Sequence, residues 1–259
     1  MYDLVLKNCD LVNENCSSEV DIAIKNQRIE KIASNIDSES KEVLDCAGKL
    51  VIPGLIDDQV HFREPGLTHK GEIATESKAA IAGGVTSYFE MPNVNPNTST
   101  IENLNKKFDM ASSRSYANYS FYLGATNENI EEIKKHDPKK SCGLKVFMGA
   151  STGDLLVDKY EALDAIFQHC PTNIVTHCED PKRLIENQEK YKNSHGDSLT
   201  AVHHAVIRDE ECCYLSSSLA VGLAQKYGSN LHVLHLSTAR EMDLFESGPI
   251  ENKNITAEG

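Results

Sequence analysis

From Pro53 onward, short apolar runs alternate with helix-length amphipathic stretches, and this alternation constrains the fold more than any other feature. Repeated strand-then-helix order is typical of a parallel sheet whose faces are covered by helices. The strand-like runs are GLIDDQVHF, GVTSYFEMP, ANYSFYLGAT, GLKVFMGA, TNIVTHCE, LHVLHLS and NITAE. The helical stretches are HKGEIATESKAAIAGG, IENLNKKFDMAS, NENIEEIKKH, DKYEALDAIFQHC and RDEECCYLSSSLAVGLAQKYG. This order predicts an α/β fold of the (β/α)8 (TIM) barrel type that stops one strand short.

The residues before Pro53 follow a different pattern of apolar and polar residues. The segments YDLVLKNCDLV and VDIAIKNQRIEKIA alternate apolar and polar residues, which predicts short strands. We therefore expect two parts, a small β-sandwich part over residues 1–52 and the barrel over residues 53–259.

The charge balance and the chain's N-terminal segment exclude several classes of protein. A formal net charge of -13 argues against a nucleic-acid surface, which needs a basic face. The first residues lack the basic and apolar regions of a signal peptide, and no apolar run approaches the length that spans a bilayer. We therefore expect a cytoplasmic protein.

The chain's 8 cysteines include no CxxC pair, so they are expected to be free thiols rather than disulfides or zinc ligands.

Polar side chains stand at the ends of the predicted strands, where catalytic groups lie in such barrels. They are Gln59, His61, Arg63, Glu90, Asn93, Lys145, His177 and His235. Each one alone has an ordinary explanation, because buried polar groups generally find hydrogen-bond partners. Together, His61, Lys145, His177 and His235 place nitrogen-bearing side chains on separate strands at one barrel mouth. Because neutral imidazole is a standard zinc ligand, this convergence predicts a metal site.

The other histidines receive an ordinary interpretation. His232 lies on the same predicted strand as His235, but its odd spacing turns it to the opposite face. The remaining ones fall in helical or loop contexts: His69, His136, His169, His195, His203 and His204.

Five motifs, in chain order, resemble the dihydroorotases of the amidohydrolase superfamily. They are PGLIDDQVHFREPG, EMPN, GLKVFMGASTG, IVTHCED and LHVLHLSTA. The REPG run after the histidine is especially similar to the dihydroorotase group. Dihydropyrimidinases, hydantoinases and allantoinases share the fold and the metals, and we expect them to lack that run.

The resemblance implies a zinc-dependent cyclic amide hydrolase with one or two zinc ions. Its reaction would be the reversible cyclisation of N-carbamoyl-L-aspartate to L-dihydroorotate in de novo pyrimidine biosynthesis. The resemblance also implies that Lys145 is carboxylated and bridges the metals, and that His177 and His235 hold the second zinc. Arg63 and Asn93 match the residues that grip the substrate carboxylate, a task that suits the bidentate geometry of arginine.

Two departures from the family's pattern affect this interpretation. Position 59 is Gln where the family usually has His, and an amide oxygen is a poorer zinc ligand than imidazole. We therefore expect the zinc that Gln59 and His61 would share to be weak, absent or held differently, with a single zinc on Lys145, His177 and His235 as an alternative. The sequence also ends after the seventh strand-like run, without the eighth strand and its catalytic Asp, so we expect a fragment of a longer enzyme.

Two other functions remain open at this point. One is a different cyclic amidohydrolase, acting on a hydantoin, dihydropyrimidine or allantoin ring; Arg63 disfavours it because those rings carry no carboxylate. The other is a non-catalytic dihydroorotase-like subunit that scaffolds a partner such as aspartate transcarbamoylase. Gln59 and the missing Asp favour the scaffold, whereas Lys145, His177 and His235 disfavour it. The resemblance implies a small-molecule substrate and a homo-oligomer, and the loop at residues 149–153 is expected near the site mouth.

Overall fold

The computed structural model of the protein describes residues 1–151 and 153–259. The chain divides into two compact units, Met1–Leu55 and Ile56–Gly259. Within the described ranges, no helix combines the length and the apolar character needed to cross a bilayer.

The N-terminal unit is built on one sheet with the strand order β3-β2-β1-β4, in which β5 also pairs with β1. Its strands are β1 (Tyr2–Asn13), β2 (Cys16–Lys25), β3 (Arg28–Ala33), β4 (Ser40–Asp45) and β5 (Leu50–Val51). The predicted strands are confirmed, and among the described residues they form one sheet, so the β-sandwich stays a prediction. The long strand β1 pairs in parallel with β4 along its first half and with β5 further on, and it thereby joins both neighbours into a single sheet.

A buried carboxylate stabilises this sheet. Asp21 accepts hydrogen bonds from Lys7 Nζ at 2.5 Å, from the backbone amide of Asn8 at 3.0 Å and from that of Ile36 at 2.8 Å. Burial alone would raise the pKa of Asp21, but Lys7 and the two amides outweigh burial and lower it. The charged form of Asp21 therefore contributes to the stability of the folded unit.

The second unit is built on a seven-stranded sheet in which the strands follow their chain order from β6 to β12. They are β6 (Leu55–Val60), β7 (Val85–Glu90), β8 (Asn118–Gly124), β9 (Gly143–Phe147), β10 (Ile174–His177), β11 (Leu231–Val233) and β12 (Ile255–Ala257). Neighbouring strands from β7 to β12 are parallel. All seven predicted strands are confirmed, and every residue of β9 is buried, as expected for a strand with both faces covered.

Helices connect the parallel strands. They are α1 (Ile73–Ala82), α2 (Ile101–Ser112), α3 (Ile130–Lys134), α4 (Tyr160–His169), α5 (Pro181–His195), α6 (His204–Ile207) and α7 (Glu210–Tyr227). The sequence did not predict α5, because no residue of this helix is buried and it has no apolar stripe. The sequence nevertheless contains residues typical of a helix start. Asp180 caps the helix by accepting a hydrogen bond from the Arg183 amide, and Pro181 occupies the first turn.

The sheet of the second unit is strongly curled. Asp58 on β6 and Glu258, directly after β12, both lie beside the His232 ring on β11, at 3.8 and 3.7 Å from its Nε2 atom. The first and last strands of the sheet therefore approach each other. Because the strands are parallel, their carboxyl ends share one edge of the curled sheet, and the site-forming residues follow these ends.

Candidate active site

Two histidines from neighbouring strands face each other at the carboxyl edge. His177 ends β10 and His235 follows β11, and their Nδ1 and Nε2 atoms lie 3.1 Å apart. Two nitrogen ligands of a tetrahedral zinc ion are about 3.4 Å apart when each Zn–N bond is about 2.1 Å. The pair therefore presents two ring nitrogens at nearly the separation that a shared zinc ion requires.

A buried carboxylate fixes the orientation of His177. Glu179 Oε2 lies 2.8 Å from His177 Nε2, and Arg208 Nη1 donates to both Glu179 oxygens at 2.9 and 2.7 Å. Burial raises the pKa of Glu179, but His177 and Arg208 outweigh it and lower the pKa overall. The ionised carboxylate can only accept, so His177 donates through Nε2 and leaves its Nδ1 lone pair directed at His235. Metal-ligating histidines are commonly oriented in this way.

Lys145, on the central strand β9, is fully buried. Its Nζ atom lies 4.7 Å from the centre of the Phe147 ring. Burial lowers the pKa of Lys145 to about 7, so in a large share of the molecules this side chain is a neutral amine near neutral pH. A neutral amine is the form that adds carbon dioxide to give a carbamate.

His61 and Asn93 form a second pair, joined by His61 Nδ1 and Asn93 Oδ1 at 2.9 Å. Loss of hydration around the ring and the charges of Arg63 and Lys145 lower the pKa of His61 to about 4. Burial, followed by the charges of His177 and Lys145, lowers the pKa of His235 to about 4. Both rings are therefore neutral at pH 7, which is the form that binds a metal.

The remaining predicted residues lie at the same edge. Arg63 is half-buried and has a positive φ of 67°, an uncommon conformation for a residue with a side chain. Gln59 is half-buried near the end of β6, and its backbone amide donates to Asp57 Oδ1 at 3.1 Å. Within the described part of the chain, the Gln59 side chain makes no hydrogen bond to either pair. In the loop at residues 149–153, position 152 lies outside the described residues.

The sequence interpretation missed a group formed by Asp58, His232 and Glu258. One ligand atom from each lies within 4.8 Å of the others. His232 Nδ1 lies 2.8 Å from Thr256 Oγ1, while its buried Nε2 faces the two carboxylates without a hydrogen-bond partner. Burial and the neighbouring Asp58 raise the pKa of Glu258 to about 7. The sequence offers little indication of this group, because the curl of the sheet, rather than any sequence spacing, brings Asp58 to His232 and Glu258.

Comparison with known proteins defines the family. The model of a family described as "Dihydro-orotase-like" matches residues 48–241. The chain therefore belongs to this dihydroorotase-like family, whose relatives among the amidohydrolases include allantoinases, hydantoinases and a dihydroorotase.

Individual relatives carry different names. The chain is 32% identical over 249 residues to an allantoinase from Desulfitobacterium hafniense, with 94% of this chain and 55% of the relative covered. It is 31% identical over 265 residues to a dihydroorotase from Methanosphaera stadtmanae, with 100% and 58% covered. The solved L-hydantoinase from Arthrobacter aurescens superposes with a TM-score of 0.92 at 27% identity, over 99% of this chain and 58% of that one. The chain thus spans little more than half the length of these relatives.

Proposed function

We propose that this chain is the metal-binding part of a zinc-dependent cyclic amide hydrolase that acts on a small-molecule substrate. The observation that carries the proposal is the approach of His177 Nδ1 to His235 Nε2 at 3.1 Å, with His177 oriented by Glu179. Relatives of this family are enzymes that act on cyclic amides, which supports the class of reaction.

The residues of the site fit a zinc ion by their chemistry. His177 and His235 would hold one ion, carboxylated Lys145 would add a negative oxygen ligand, and His61 would serve a second ion with Gln59 as a weak partner. When bound, zinc polarises the ring carbonyl and lowers the pKa of water. The whole reaction also needs a group that moves a proton to the ring nitrogen, and the sequence resemblance assigns that role to an Asp of the eighth strand.

We propose dihydroorotate and N-carbamoyl-L-aspartate as the substrate pair. Arg63 would bind the substrate carboxylate through its guanidinium group, and Asn93, held by His61 at 2.9 Å, would add an amide contact. The complete enzyme would then form a (β/α)8 barrel of the metal-dependent hydrolase type and act in the cytoplasm as a homo-oligomer. Association with aspartate transcarbamoylase is a further part of this proposal.

A second candidate is a hydantoinase or allantoinase. The relatives favour it, because an allantoinase at 32% identity and an L-hydantoinase structure with a TM-score of 0.92 match as well as the dihydroorotase does. The two candidates differ at Arg63, which has a charged partner only when the substrate carries a carboxylate.

A substrate panel tests both candidates. Binding of dihydroorotate, hydantoin, dihydrouracil and allantoin to the zinc-loaded chain with bicarbonate is measured, alongside Arg63→Ala and, as a control, Arg28→Ala in the exposed strand β3. The first proposal expects binding of dihydroorotate that Arg63→Ala abolishes and Arg28→Ala leaves intact. Binding of an uncharged ring by both variants, without binding of dihydroorotate, would instead support the second candidate.

A further inference from the structure

A charged pair is buried between the end of β7 and α2. Glu90 ends β7 and Lys107 lies on α2, and their Oε2 and Nζ atoms are 2.9 Å apart. The side chains are 0% and 1% exposed. Lys107 Nζ also donates to the backbone carbonyl of Met91 at 3.2 Å and lies 5.0 Å from the centre of the Phe121 ring.

Stability alone does not explain this pair. Removing two charges from water costs free energy that their attraction often fails to repay, so a buried ion pair is commonly no more stabilising than apolar residues of the same size. Burial raises the pKa of Glu90 and lowers that of Lys107, which shows the same cost. Neither Glu90 oxygen has a well-aligned hydrogen bond. Because burying these two charges costs free energy, we expect the pair to have a role in positioning the backbone segments that it contacts.

The groups against the pair belong to the proposed substrate-binding residues. The backbone amide of Met91, whose carbonyl Lys107 holds, donates to the carbonyl of Val60 at 3.0 Å and so joins the end of β7 to the strand that leads into the Arg63 turn. The nearby backbone amides of Arg63 and Phe62 lower the pKa of Glu90 against the effect of burial. Arg63 adopts its positive φ of 67° at this point. On the other side, Lys107 holds the carbonyl of Met91, close in the chain to Asn93. The pair therefore contacts both backbone segments that present Arg63 and Asn93.

We infer that Glu90 and Lys107 are positioning residues that hold the Arg63 and Asn93 segments in register, and thereby set a preference for cyclic amides that carry a carboxylate. Glu90 attracts the amides of the strained turn, while Lys107 balances its charge and ties the turn to the end of β7. This inference rests on the proposed role of Arg63, but the geometry of the turn can be tested without it.

The first test replaces the pair by the near-isosteric neutral variant Glu90→Gln/Lys107→Met, with both single variants alongside. Asp21→Asn serves as the matched control, because it neutralises a buried, paired carboxylate in the other unit. The double variant is expected to fold and to bind dihydroorotate at least about tenfold less tightly, because a small misplacement of an anchoring group has large effects. Dihydrouracil, which lacks the carboxylate, should change much less. Equal losses on both substrates, or no loss in a folded variant, would overturn the inference.

The second test needs no substrate. Hydrogen exchange measured by NMR reports the protection of the Arg63 and Phe62 amides. The double variant is expected to speed exchange at these two amides while Leu144, in the centre of β9, keeps its protection. Unchanged exchange at Arg63 and Phe62 would overturn the positioning role. If the parent chain binds neither substrate, the proposed function is wrong, and the exchange result still decides whether the pair holds the turn.

Discussion

Glu179 gives the sharpest test of how the proposed metal site is organised. Its carboxylate contacts His177 Nε2 at 2.8 Å and is itself held by Arg208 at 2.7 and 2.9 Å. Glu179→Gln preserves the size of the side chain but removes the negative charge that fixes the His177 tautomer. The Nδ1 lone pair then no longer points reliably at the zinc position next to His235.

The expected effect follows from the chemistry of such partners. Losing the carboxylate that orients a metal-binding histidine lowers metal affinity by about 10- to 100-fold. This corresponds to about 1.4 to 2.8 kcal/mol of binding free energy. The folded state should be affected less, because Arg208 is partly exposed and can return to water when its partner is neutralised.

Zinc affinity is measured by competition with a chromogenic chelator at pH 7.5, with Glu186→Gln as the control. Glu186 is an exposed residue of α5, so its substitution should leave zinc affinity unchanged. A Glu179→Gln variant that is folded and binds zinc as tightly as the parent would refute the orienting role of Glu179. An equal loss in Glu186→Gln would show that the effect is one of net charge.

Three further predictions follow from the same contacts. Gly149→Ala would place a Cβ atom 2.5 Å from the Glu179 Cβ atom, so it should displace Glu179 and lower zinc affinity in the same competition assay. Lys145→Met removes a costly buried amine, so calorimetry should show a higher thermal midpoint, while any increase of zinc affinity on adding bicarbonate is lost. Asp21→Asn should lower the free energy of unfolding at pH 7 by about 1.5 to 3 kcal/mol, the range for hydrogen bonds to a charged group. Because the folded pKa of Asp21 is lowered, this contribution exists above the unfolded value of about 3.9 and disappears as the pH falls through the folded pKa, which denaturant titrations at several pH values would detect.

The local pattern of apolar and polar residues predicted most of the fold. The apolar runs of the second unit predicted all seven strands, and α2 begins and ends where the amphipathic stretch IENLNKKFDMAS does. Two features depended on long-range packing and were not predictable. The N-terminal strands join one sheet through the long strand β1, and α5 packs without burying a single residue.

The site was only partly predictable for a similar reason. Strand-end position predicted that His177 and His235 lie together, because the carboxyl ends of parallel strands meet at one edge, and their ring nitrogens are 3.1 Å apart. The structure adds contacts that sequence spacing cannot predict, namely that Glu179 contacts His177 and that Glu90 pairs with Lys107. The approach of Asp58 to the end of β12 depends on the curl of the whole sheet.

Anomalous X-ray diffraction from crystals grown with zinc, recorded on both sides of the zinc absorption edge, tests the central claim most directly. The account predicts a zinc peak between His177 Nδ1 and His235 Nε2, beside Lys145. A folded protein whose crystals show no peak there, or whose only zinc lies among Asp58, His232 and Glu258, would contradict it.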